Sequence, residues 1–190
     1  MRLSEEADIR AFKGDSLGAL LYRLASHFLE TQAFQIAQKA GMDTRATATL
    51  GKSAAWLGLE AGRVSFAKDL MQEALRVANG TDTAIEIRDN MSQLAQRSND
   101  PPDPPTQLDL LQALDLVYRS SNAETGNRIL DGELVRLGSE GHQFLAAFTE
   151  LRHRREPQET SKAEALSQLA ERNAVLPGAG DSLRDHFRDM

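Results

Sequence analysis

Alanine recurs through residues 53–80 at positions 54, 55, 61, 67, 74 and 78, in a run that also holds Trp56, the only tryptophan of the chain. Side chains this small let neighbouring helices approach to the short end of the usual separation of about 8–10 Å. They offer a pleated sheet little to pack with, because strands favour β-branched and aromatic residues. Elsewhere no stretch of strict apolar–polar alternation reaches strand length with β-branched enrichment. The chain is therefore expected to be all-α. Aromatic residues make up only 5% of the sequence and hydrophobic residues 41%, so leucine and alanine must build most of the core.

Breaks in periodicity, glycines after apolar runs and Ser, Thr or Asp before the next run set the expected helices. In the first half these are Glu5–Lys13, Ser16–Glu30, Ala33–Ala40, Thr44–Ala61, Ser65–Ala78 and Ala84–Arg97. Then comes "NDPPDPP", Asn99 to Pro105, with four prolines in five positions. Each proline lacks an N–H and restricts the residue before it, so no helix crosses this segment. It reads as an extended, stiff linker over 99–105, between a helical repeat domain at 1–98 and a C-terminal helical domain at 106–190. In that second part Gln107–Ser120, Glu124–Gly138, His142–Arg154, Ser161–Arg172 and a tail from Ser182 read as helices. Leu108, Leu111, Leu114 or Asp115, and Tyr118 step along the first of these. Ile129, Leu130, Leu134 and Leu137 mark the second, and Phe144, Leu145, Phe148 and Leu151 the third.

Residues 22–41 can be laid over residues 52–71 at an offset of 30. Leu29-Glu30 then falls on Leu59-Glu60, Phe34 on Val64, and Ala37 on Ala67. Each copy reads as two helices around a turn, at Gln32 in the first and Gly62 in the second. The better copy, "AAWLGLEAGRVSFAKDLMQEAL", resembles the tetratricopeptide repeat family. Ala55 matches the small residue of that family's first helix, Gly62 the turn glycine, and Val64 the apolar residue after it. Ala67 and Ala74-Leu75 match positions on the second helix. The copy beginning at Gly18 is poorer, with Gln32 in place of the turn glycine and a second helix that stops at Gly41. That truncation accounts for an offset shorter than the roughly 34 residues usual for this repeat.

Hairpins of this kind each leave one face open, so they must stack. The segment "AIEIRDNMSQLAQ", with Ile85 or Ile87, Met91 and Leu94 on one stripe, suits a capping helix at one end. Glu5–Lys13, with Ile9 and Phe12 on one side, suits the other. The resemblance implies a concave groove lined by the first helix of each hairpin. The partner-binding residues would then be Tyr22, Ser26, Lys52 and Trp56, in i, i+4 pairs that share a helical face. Tyrosine and tryptophan are enriched among binding hot spots.

Other chemistry finds little support. Cysteine is absent, which excludes disulfides and thiolate ligands and fits a reducing compartment. The four histidines form no HxxxH or HExxH pair. His27 and Glu30, at i, i+3, lack a matching pair on neighbouring helices, so His27 reads as a surface or groove residue. "GAGDS", Gly178 to Ser182, lacks the preceding strand and lysine of a phosphate loop. No metal, cofactor or catalytic residue is expected, and the protein is expected not to be an enzyme. The net charge of −6 lies wholly after residue 99, with 12 basic and 12 acidic residues before that point and 10 against 16 beyond it. An acidic second half disfavours nucleic acid. The one basic cluster, "RHRR" at Arg152–Arg155, is where a helix end favours cations without a ligand. The N-terminal segment has no apolar run of a secretory signal, and no run is long enough to span a membrane. The expectation is a cytoplasmic, non-enzymatic scaffold or adaptor that holds a peptide or protein partner. The alternatives are a regulatory protein associated with nucleic acid, acting through Arg152, Arg154 and Arg155, and an accessory subunit of an enzyme complex.

Overall fold

A computed structural model of the chain describes residues 3–99 and 102–154, and among them there is no strand. The helices are α1 (Leu3–Phe12), α2 (Ser16–Lys39), α3 (Thr44–Glu60), α4 (Val64–Val77), α5 (Thr83–Arg97), α6 (Gln107–Ser120) and α7 (Ala123–Leu137). A short 3-10 turn, Gly138–Glu140, leads to α8, residues 141–154. The all-α expectation holds. The helices expected at Ser161–Arg172 and from Ser182 lie outside the described residues. No helix among the described residues is long and apolar enough to cross a membrane.

The starts and stops follow local chemistry. Asp15 and Asp43 each accept a backbone N–H in the first turn of the helix they precede, at 2.9 and 2.8 Å. Thr106 and Asp109 form a reciprocal capping box on α6. At the end of α3 the N–H of Arg63 reaches Gly58 O at 2.8 Å and that of Gly62 reaches Leu59 O at 3.0 Å. This paired closure needs a left-handed residue, and Gly62 supplies it at φ +74°.

The expected turn at Gln32 is absent. α2 runs for 24 residues straight through it, so the first copy of the sequence repeat is one helix and not a hairpin. The reason is a buried stripe at three- and four-residue steps, Leu24, His27, Thr31 and Phe34, that passes Gln32 without interruption. Nothing near Gln32 breaks a helix.

Alanine provides close packing, as the sequence suggests. The main buried cluster joins Phe34 of α2 to residues of α3, α4 and α5, and seven of its thirteen members are alanine. A β-carbon on Gly51 would fall 2.8 Å from the Phe34 ring and 2.9 Å from Ala74, so α3 is held tightly between α2 and α4. α5 enters this core through Ala84, Ile87 and Leu94, with Met91 at its edge, while Ile85 points to solvent. The capping role expected of α1 is made through a different face. Ala7 is its buried contact, whereas Ile9 is exposed and Phe12 is 94% exposed. Both lie well round the helix from Ala7 at 100° per residue.

The compact units divide between Phe148 and Thr149, whereas the sequence reading divides the chain at 99–105. Within residues 1–148, α6 and α7 both pack on α2. The proline segment lies against the α3–α4 turn, where the carbonyl of Asp103 approaches Gly62 closely enough to leave no room for a β-carbon. In α6 the buried stripe is Leu110, Leu111, Leu114, Asp115 and Val117, and Leu108 is exposed. Phe144 and Phe148 of α8 are buried, the latter 5.4 Å from the Tyr118 ring, while Leu145 is exposed.

Candidate functional site

The four residues expected to line a groove occupy two helices but not one surface. Tyr22 of α2 is half-buried under the Arg10 guanidinium of α1, which sits 4.7 Å from its ring centre. Ser26, one turn on, is buried and its hydroxyl has no partner within the protein. Lys52 and Trp56 share a face of α3, as their spacing requires, and that face meets α5. The Lys52 ammonium pairs with Glu86 and holds its carboxyl below the usual range. Trp56, half-buried, donates from Nε1 to Asn90 Oδ1 at 3.0 Å, and the Arg97 guanidinium lies 5.3 Å from its ring. The indole is thus an interhelical contact.

The cleft that Ser26 does line is completed from α3 by Ser53 and Leu57, each one position beyond Lys52 and Trp56. One residue is about 100° of helix rotation. Ser26 thus shares a cleft with the α3 face next to the one that carries Lys52 and Trp56.

A second groove, unmarked in the sequence reading, runs between α2 and α7. It comprises two overlapping clefts of about 160 and 670 Å³ that share Gln32, Gln35, Arg128, Gly132 and Val135. The smaller is walled by the rings of Phe28 and Phe66 and by Ile129. The larger extends past Ile36 to Lys39 and Asp131. Val135 is 83% exposed and Ile36 is 42% exposed. A signal for this groove did exist in the sequence. Val135 stands one position off the stripe of Ile129, Leu130, Leu134 and Leu137, and Ile36 sits between the buried Phe34 and Ala37.

Beneath the groove lies a buried charged cluster. Arg63 donates from Nη2 to both oxygens of Glu133, at 3.0 and 3.1 Å. Arg136 adds Nε and Nη2 to Glu133 Oε2 at 3.1 and 2.6 Å. The Arg63 guanidinium stacks 4.7 Å from Phe66 and 5.2 Å from Phe28. Burial pulls it below its ordinary pKa, the Glu133 carboxylate opposes that shift, and Arg136 adds to it. Two buried polar atoms here have no partner within the protein, Arg63 Nη1 and Thr31 Oγ1.

His27 is a core residue, contrary to the surface or groove placement expected of it. Its Nδ1–H donates to Ala54 O at 2.9 Å, and its ring meets Phe66 edge-on at 5.2 Å. Burial, reinforced by the Arg63 charge, lowers its pKa to about 3. A β-carbon on Gly58 would lie 2.9 Å from this ring, so α3 admits the imidazole only because position 58 carries no side chain. No group of three or more His, Asp or Glu side chains among the described residues is placed to hold a metal ion. Of the basic cluster, Arg154 pairs with Glu150 and Arg155 lies outside the described residues. No family model matches this chain, and neither a curated protein nor a solved structure does.

Proposed function

We propose that the protein is a non-enzymatic cytoplasmic scaffold that holds a peptide segment of another protein in the groove between α2 and α7. The observation that carries this reading is the exposure of Val135, at 83%, on the rim of a groove whose inner wall is aromatic. Apolar side chains rimmed by polar groups are the usual anatomy of a binding surface. The face of α3 that carries Lys52 and Trp56 is engaged by α5, so the proposal rests on α2 and α7 instead of on those residues.

A tetratricopeptide-like stacking of α3, α4 and α5 belongs to the same proposal. Its support is register. Lys52 pairs with Glu86 and Trp56 with Asn90, each 34 residues on, which is the usual length of that repeat. Gln38 likewise reaches Glu73, 35 residues on.

The test is selection from a random peptide display library against the full chain, followed by direct titration of the enriched peptides. Peptides that bind at micromolar level and weaken about tenfold on Val135→Asp support the reading. Enriched peptides that bind the variant equally well place the site elsewhere, and absence of enrichment removes the proposal.

A further inference from the structure

We infer that the partner segment is an acidic amphipathic helix, with its apolar side against Val135, Ile36 and the Phe28–Phe66 wall and its carboxylates against Lys39, Arg128 and Arg136. This rests on the groove being the binding site.

Charge is the first argument. The chain as a whole is acidic, at −6, yet the groove is not. Lys39, Arg128 and Arg136 line it, with Arg63 directly behind. Of the carboxylates there, Glu133 is buried and engaged by two arginines, and Glu124 pairs with Arg128 on the exposed side. Asp131 is the one groove-lining carboxylate outside these pairs, so the groove stays net positive. Local charge of this kind acts over roughly 8–10 Å at physiological salt, about the reach of side chains across a helix seat. A partner with carboxylates along that edge meets complementary charge, and a basic one meets repulsion.

Shape is the second argument. From Phe28 to Lys39 the groove follows three turns of α2, about 16 Å, which suits a helix of some twelve residues lying alongside. Gly132 sits in the middle of α7 with open space where its side chain would be. A glycine inside a helix is destabilising, and no packing contact here requires one. Its effect is to keep the wall low at the centre of the groove. Thr31, 8% exposed, lines the narrow end of the groove.

Two fluorescein-labelled synthetic helices test this with the full chain by anisotropy. Both are about 16 residues long with leucine at i, i+3, i+4 and i+7. One carries glutamate at its flanking positions and the other lysine. The glutamate peptide is expected to bind about tenfold or more tighter than the lysine peptide, an advantage that shrinks in high salt and on Lys39→Glu or Arg128→Glu. Both positions are exposed, so these variants should keep the wild-type circular dichroism and thermal midpoint. If the two peptides bind equally and both are lost in Val135→Asp, the groove stands and the acidic partner falls. If neither peptide binds, the inference falls with the groove. If a 16-nucleotide single strand binds tighter than the glutamate peptide and displaces it, the cations serve phosphate and the inference is overturned.

Discussion

Arg63, at the turn between α3 and α4, clasps both carboxylate oxygens of Glu133, seventy residues further along in α7, at 3.0 and 3.1 Å. The pair is buried, stacked between two phenylalanine rings, and joins the two sides of the proline segment. Because Glu133 also accepts from Arg136, one carboxylate organises both arginines beneath the groove.

Glu133→Ala should therefore destabilise the fold by roughly 3–5 kcal/mol, since it strands a buried guanidinium. Replacing both partners, Arg63→Met with Glu133→Leu, should recover most of that loss, because apolar groups of similar size cost little in such a site. Urea unfolding of Arg63→Met, Glu133→Leu and the double variant gives the coupling energy. Additive losses would mean the two side chains do not meet.

His27 should make stability depend on pH. Its imidazole titrates near 6.5 when unfolded and at about 3 when folded, lowered by burial and by the Arg63 charge. Between those values the unfolded chain holds a proton that the folded chain does not, so stability is complete above pH 6.5 and declines as the pH falls towards 3. The slope approaches about 1.4 kcal/mol per pH unit for one such group. His27→Gln retains a donor for Ala54 O and cannot titrate. The stability difference between wild type and variant should then be smaller at pH 5 than at pH 7. An unchanged difference would show that His27 accepts its proton inside the fold.

Two glycines should respond to alanine in opposite directions. At Gly62 the backbone is left-handed, and a β-carbon would lie 2.2 Å from Asp103 O, so Gly62→Ala should cost roughly 2–4 kcal/mol. At Gly132 the helix is regular and the space open, so Gly132→Ala should add about 0.5–1 kcal/mol. Thermal unfolding distinguishes the two cases. A neutral Gly62→Ala would show that the proline segment does not rest on this turn.

The contrast between these glycines also shows what a sequence can reveal. Gly62 was legible as a turn because its reason is local, a helix closure with the next apolar residue two positions on. The buried stripe through Leu24, His27, Thr31 and Phe34 was equally local, but its two polar members hid the continuity of α2. The covering of the Lys52–Trp56 face was not legible, because α5 arrives from 34 residues away and its polar Glu86 and Asn90 carry no apolar signature. The groove between α2 and α7 depends on a pairing of segments about a hundred residues apart. Only the misplaced Val135 and Ile36 hinted that some apolar surface would be left over.

Trp56 gives the sharpest reading of how α5 is attached. Its indole bonds Asn90, lies under Arg97 and packs on the buried cluster, all while half-exposed. Trp56→Ala should therefore cost about 2–3 kcal/mol, less than the 3–5 typical of a fully buried tryptophan. Trp56→Phe keeps the packing and loses the hydrogen bond, so about 1 kcal/mol is expected. As the only tryptophan, it also reports on its own site by fluorescence. Asn90→Ala and Arg97→Ala should each shift its emission to the red, since each opens one side of the ring to water. Binding of a peptide in the α2–α7 groove should leave that emission unchanged, because neither α2 nor α7 packs on α5. A peptide-induced blue shift would instead return the binding site to the face of α3 that carries Lys52 and Trp56.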